Sequence, residues 1–194
     1  AKILGVLLAV ELLSLIVTAV AILINGGPEG ANVGASFDPM LVFAGGFAGT
    51  AGIALAFAFA SFIGFEATAI YGEESKDPKR DVPRATYWAI GIIAGLFAVV
   101  SFAMVTGMGS SAIIDQVVER SGGLADPSAV LFSLAAEYVS PEIVLIMALL
   151  VVTSLFAGLL AFQNAAARYF FAMGRGGVMP VSYTHLRAHE TKAN

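Results

Sequence analysis

Apolar residues fill four stretches of the chain almost without a charge, at about 3 to 24, 47 to 71, 85 to 109 and 143 to 167. Each reaches the roughly 20 residues that an α-helix needs to cross hydrocarbon. The pattern predicts an all-α integral membrane protein of four spans joined by polar loops. Residues 25–36, NGGPEGANVGAS, are rich in glycine and turn formers and read as irregular chain. Between the third and fourth spans, Val130, Leu131, Leu134 and Tyr138 repeat at helical spacing, which predicts a helix over about 127 to 139. With about a dozen residues and Glu137 inside it, that helix is too short to span. It is expected to cap one mouth of the protein.

Composition agrees. Of 194 residues, 58% are hydrophobic and only 12% charged, against roughly 25% charged in a soluble domain; the mean hydropathy is +0.87. A soluble globule of this size would lack the polar surface to stay in solution. The net charge of -4 is modest, and no basic surface calls for nucleic acid. Cysteine is absent, which removes disulfides, thiolate metal sites and cysteine nucleophiles. No metal and no cofactor are expected.

The basic residues orient the spans, because Lys and Arg accumulate on the cytoplasmic side of short loops. Lys2 precedes the first span, Lys76, Lys79, Arg80 and Arg84 lie between the second and third, and Arg168 and Arg175 end the fourth. The other side holds Arg120 alone. This split runs the first span outward and alternates the rest, as expected of a multi-pass protein of the cell membrane.

The two ends of the chain stand apart. The first apolar run is longer than a signal-peptide core and lacks a basic start with a small-residue exit. With Ala1 at its head, the chain reads as an internal piece of something longer. Residues 181–194, VSYTHLRAHETKAN, hold both histidines and have no apolar period. They resemble an adapter-derived tail, so the transmembrane fragment is expected to end at about residue 180, and His185 and His189 are not taken as ligands.

Chemistry concentrates in the second run. No charge occurs from Pro39 to Phe65, and then Glu66 follows directly inside SFIGFEATAIYGEE. As part of a plain helix, Glu66 would lie about two turns from the cytoplasmic end and lean toward the headgroups. Gly64 weakens a helix here, and the Ser61 hydroxyl can bond freed backbone groups. Non-helical backbone and carboxylates at membrane depth face protein or a water-filled cavity. These residues therefore predict a helix broken near 61–65 beside a titrating group.

The string FASFIGFEATAIYGEESKDPKRDVPRA, followed about 80 residues later by NAAARYFFAMGRGGVMP, resembles the amino acid-polyamine-organocation superfamily of transporters, bacterial amino acid permeases in particular. The likeness covers residues 1 to 180 and would make them helices five to eight of about twelve. It implies an inverted-repeat fold of two five-helix halves, of the leucine-transporter type, whose interrupted helices form the substrate site. The implied activity is secondary transport of amino acids or related amines by alternating access, proton-coupled or by exchange. The partners are the amino acid or amine, protons or else sodium, the bilayer, and the remaining helices.

Carried over residue by residue, the resemblance makes Ala60, Ser61 and Ile63 donors of backbone carbonyls, or of the Ser61 hydroxyl, to the substrate amino group. Gly64 permits the unwinding, and a half-helix end supplies partial charge suited to a cation. Phe62 and Phe65 would line or gate the pocket, or simply pack. Glu66 takes the place of a carboxylate that responds to protonation or substrate; a carboxylate desolvated inside protein holds its proton more tightly, so such a group can couple to a proton gradient.

Glu11 lies about two turns into the first span, near where some relatives carry a lysine in place of sodium. It is either a titrating group or a structural hydrogen-bonding one. Thr153 and Ser154 match hydroxyl ligands of sodium-dependent relatives, and equally the hydroxyls that glue membrane helices together.

In EESKDPKRDVPR, four acids and four bases predict an ion-paired elbow that Pro78 and Pro83 keep from being one helix. The family gives this loop a part in the inner gate, here Glu73, Arg80 and Arg84. Gly176 stands where the family carries an acid, so a gate pairing through that acid is lost.

Two other classes fit less well. An enzyme would need a nucleophile with a base, or metal ligands, and only lone carboxylates and hydroxyls remain, so no catalytic residue is assigned. A channel or structural subunit would be compatible with the spans, but a pore calls for a filter or ring of like residues that they do not show.

Overall fold

A computed structural model describes residues 2–43, 50–65, 67–70, 72 and 75–178, and every regular element among them is a helix. In chain order these are α1 (Lys2–Asn25), α2 (Val33–Phe37), α3 (Pro39–Val42), α4 (Thr50–Ala60), α5 (Ala67–Ile70), α6 (Pro78–Met108), α7 (Ile113–Arg120), α8 (Ala129–Tyr138) and α9 (Pro141–Arg175). Three of them, α1, α6 and α9, are long and apolar enough to cross a membrane by length and composition.

Their ends follow local chemistry. Both α6 and α9 open with proline in the first turn, behind Asp77 and Ser140 respectively, where a missing N–H costs nothing. At the other end, Gly109 and Gly176 return their N–H groups to Val105 and Ala172 carbonyls. The α6 helix begins well before the expected position 85, and Pro83 lies inside it, so the expected break at Pro83 does not occur. The ring removes a hydrogen bond only in the second turn, and Lys79, Arg80 and Arg84 around it are exposed, where water can satisfy the freed carbonyl. At 35 residues, α9 is about 52 Å long, well beyond a hydrocarbon core of about 30 Å. The whole of α9 therefore cannot lie upright within such a layer.

The second apolar run forms no single helix. The α4 helix stops at Ala60, residues 61–65 make turns, and α5 starts at Ala67.

The buried core sits toward the α7–α8 end. Ala19 and Ile22 of α1, Ala103 and Met108 of α6, and Val130 and Leu134 of α8 form one cluster, flanked by Ile113 and Val117 of α7. The α1 face that reaches it also carries Ser14 and Thr18, both buried. Their hydroxyls donate to the carbonyls of Glu11 (2.7 Å) and Ser14 (2.9 Å), so polar groups on a packed face are satisfied within their own helix. The α9 helix lies against α1 and α8.

Polar contacts fasten the short helices over this core. Arg120 at the end of α7 pairs with Glu137 of α8 at 2.8 Å and donates to Gln116 (3.0 Å) and Ser133 (3.2 Å). The Tyr138 hydroxyl donates to the Gly107 carbonyl of α6 at 3.0 Å, and burial, with Glu137 beside it, pushes the Tyr138 pKa up. Before α2, the Glu29 carboxylate accepts from the Ser110 hydroxyl (2.9 Å), the Ser111 N–H (3.2 Å) and the Ser111 hydroxyl. Those bonds, the Ser111 hydroxyl first, hold the Glu29 pKa below its ordinary value. Gly27 allows the approach: a Cβ there would stand 1.9 Å from the Thr106 carbonyl oxygen.

Large apolar side chains elsewhere face outward, among them Phe57 and Phe59 of α4, Trp88 of α6, and Leu145, Leu149, Val152, Leu155 and Phe156 of α9. In water such surface would be untenable; against lipid tails or further apolar helices it is ordinary.

Candidate functional site

At the break, the backbone hydrogen bonds shorten from four-residue to three-residue steps. The Ser61 N–H donates to the Phe57 carbonyl (2.9 Å), the last bond of α-helical span, and then Phe62 reaches Phe59 and Ile63 reaches Ala60 over three residues, both at 3.1 Å. Ala60 thus already accepts one bond, with a second lone pair left on its oxygen. The Ser61 hydroxyl donates to the Ala58 carbonyl at 2.7 Å, which leaves its oxygen able to accept. Gly64 turns the chain with φ +108°, outside the region open to other residues, and its carbonyl receives the Ala67 N–H at 3.1 Å as α5 begins.

Side chains around the break differ in exposure. Phe62 is half-buried, while Ser61, Ile63 and Phe65 are exposed. The Phe62 ring meets Phe97 of α6 edge-on, with centroids 6.1 Å apart and planes at 83°. Glu66 and Glu73 lie outside the described residues.

A second locus forms between α1 and α9. A cleft of about 450 Å³ is lined by Gly5, Leu7, Leu8 and Glu11 from α1 and by Thr153, Ser154, Ala157, Gly158 and Ala161 from α9. The acid and the two hydroxyls, more than 140 positions apart in the chain, face one space. Small residues on both walls keep it open, and all three polar residues are half-buried. The Thr153 hydroxyl donates to the Leu150 carbonyl at 2.8 Å, as helix-packing threonines do, and its oxygen can still accept or ligate. None of the described residues 60–65 lines this cleft.

Near the far end of α9, Arg168 and Arg175 line another cleft, of about 380 Å³, with Ala69 and Ile70 of α5. The Arg175 guanidinium lies 5.8 Å from the Phe171 ring centroid. Arg80 and Arg84 are exposed on the first turns of α6. Among the described residues no group of three or more His, Asp or Glu is placed to hold a metal ion.

A family model described as amino acid permease matches residues 1–194. The chain belongs to the amino acid permease family. Among proteins similar to this permease chain is the branched-chain amino acid permease BcaP of Lactococcus lactis subsp. cremoris (strain MG1363), 27% identical over 158 residues. That alignment takes in 77% of this chain and 30% of the relative, so the permease chain corresponds to about a third of that relative's length. No solved structure matches it significantly.

Two features of this permease chain have no signature in its sequence. One is the short α7 helix, in which Ile113 and Val117, four apart, face the core while Ile114 is 76% exposed. Phe97 carried no signal at all, since an aromatic residue in an apolar span is unremarked until its partner is known.

Proposed function

We propose that the full-length permease is a secondary active transporter of amino acids or related amines in the cell membrane, working by alternating access. The interruption between Ala60 and Ala67 carries this reading. Carbonyls at the end of an eleven-residue apolar helix present partial negative charge, suited to a substrate ammonium, and the half-helix geometry is what a midplane site in a membrane transporter requires. In this reading Ala60, Ser61 and Ile63 supply oxygens, Gly64 permits the turn, and Phe62 and Phe65 flank the substrate side chain. The fragment contributes helices five to eight to an inverted-repeat fold, with the α7–α8 pair outside and Arg168 and Arg175 inside.

Coupling is assigned to Glu11 and Glu66. The α1–α9 cleft supports Glu11: a carboxylate that gains and loses a proton beside two hydroxyls can bias how α1 and α9 sit against each other, and this is the coupling that alternating access needs. The same carboxylate and hydroxyl oxygens would instead serve a sodium ion in an ion-coupled variant. The name of the Lactococcus relative directs attention to branched-chain amino acids as first substrates.

The test is uptake by the full-length protein in proteoliposomes. Labelled leucine, isoleucine and valine should accumulate when the outside is acidic, and a protonophore should abolish accumulation. Uptake that follows a sodium gradient at constant pH moves the coupling to sodium. Failure to transport any amino acid under either gradient sinks the proposal.

A further inference from the structure

We propose that Phe97 of α6 is a positioning and specificity-determining residue that sets the size of the substrate side-chain pocket through Phe62. The inference rests on the reading of the 60–65 break as a substrate site. Phe62 sits in the turn that follows α4, where three-residue bonds (Phe62 N–H to Phe59 at 3.1 Å, Phe65 N–H to Phe62 at 3.4 Å) replace α-helical ones and the side chain leaves the α-helical register. An edge-on neighbour then decides where its ring stands, because the electropositive ring edge and the electronegative face reward one orientation over others. That neighbour is Phe97, at 6.1 Å and 83°.

Phe97 belongs to a rigid element. It lies within the 31-residue α6 helix, which is held one turn further along by Val100, Ala103 and Met104 at the buried core. Phe97 itself is outside that core and 41% exposed, so core filling does not explain it. It also lines a slot of about 290 Å³ with Ser36, Phe37, Ser101 and Phe102, and Phe102 stacks obliquely on Phe37 at 5.5 Å. Phe97 thus touches both the Phe62 ring and this slot. Removing its ring would take away the Phe62 neighbour and free more than a methylene of space beside it. One methylene of fit in an apolar pocket changes discrimination by about tenfold.

The full-length transporter in proteoliposomes, with leucine and alanine as substrates, supplies the test. Phe97→Ala should shift the ratio of apparent KM for leucine to that for alanine by about tenfold, while the maximal rate for alanine per inserted molecule stays near wild type. Phe97→Tyr, which keeps the ring edge, should restore the wild-type ratio. Phe62→Ala should produce the same shift, and combining it with Phe97→Ala should add little. Phe97→Leu, which keeps apolar volume without the edge, carries the comparison if the alanine variant fails to insert. An unchanged ratio, with rates for both substrates falling together, assigns Phe97 to packing and overturns the inference. A wild-type protein that transports neither substrate overturns the reading of the break instead.

Discussion

Arg120 and Glu137 close the α7–α8 hairpin with an ion pair of 2.8 Å, and the two side chains differ in exposure, 17% for the arginine and 50% for the glutamate. The arginine also serves Gln116 and Ser133, so it organises the hairpin while the glutamate is a partly solvated partner. The single base on the side expected to face outward is therefore structural.

A double-mutant cycle should separate these roles. The Arg120–Glu137 coupling should be about 0.5 to 1 kcal/mol, as for partly exposed pairs. Arg120→Ala alone should cost more, since its charge-assisted hydrogen bonds to Gln116 and Ser133 are lost as well, each worth about 1.5 to 3 kcal/mol before solvent screening. Thermal unfolding in detergent reads both. A Glu137→Ala variant that costs as much as Arg120→Ala would contradict the assignment.

The Glu29 latch makes a prediction about pH. Hydrogen bonds from Ser111 and Ser110 lower the Glu29 pKa in the folded state, so its stabilisation is present above the ordinary glutamate pKa and is lost as pH falls through the lowered value. Wild type should melt above Glu29→Gln at neutral pH, and the gap should close only below about pH 4. A gap that persists at acid pH would show that the carboxylate charge is irrelevant to the latch.

Two glycines should respond differently to alanine. At Gly27 the added methyl meets the Thr106 carbonyl, so Gly27→Ala should destabilise by about 1 to 3 kcal/mol through overpacking and should loosen the 25–32 loop. At Gly64 none of the described residues lies within 4 Å of the added atom, and the cost is that of the φ of +108°, about 1 to 3 kcal/mol. Gly64→Ala should therefore impair transport by reshaping the break, with the α7–α8 end intact. Limited proteolysis of that end, compared with uptake, distinguishes the two.

Much of the frame was legible because its signals are local. Proline at the openings of α6 and α9, glycine after their last turns, and unbroken apolar runs between them are written in consecutive residues. Gly64 with Ser61 marked a stretch of weak helix, and the described chain leaves the helix between Ala60 and Ala67. What stayed hidden needs three dimensions. Glu11 and the Thr153–Ser154 pair were read as separate candidates, and only the packing of α1 on α9 gives them a common cleft. Phe62 was read without Phe97. Pro83 looked like a breaker, yet so near a solvated helix start it costs one replaceable hydrogen bond. Eight-residue α7 is too short for its apolar period to stand out, and the three partners of Arg120 come together only in the folded hairpin.

The α1–α9 cleft predicts a division between coupling and carriage. Glu11→Gln should abolish stimulation of uptake by an acidic exterior and leave exchange of labelled for unlabelled substrate within about twofold of wild type, because exchange needs no net proton movement. Ser154→Ala should have little effect under proton coupling and a large one if sodium is the ion. Gradient-driven uptake in Glu11→Gln that equals wild type removes Glu11 from the mechanism.

The most direct measurement is counterflow. Proteoliposomes holding the full-length permease are loaded with unlabelled leucine, diluted into labelled leucine with all ion gradients collapsed, and followed for internal label. A carrier that alternates access should build a transient internal excess of label, saturable in external leucine and lost in Gly64→Ala. A channel or a purely structural subunit gives label that only approaches the outside concentration, and that result would contradict the account.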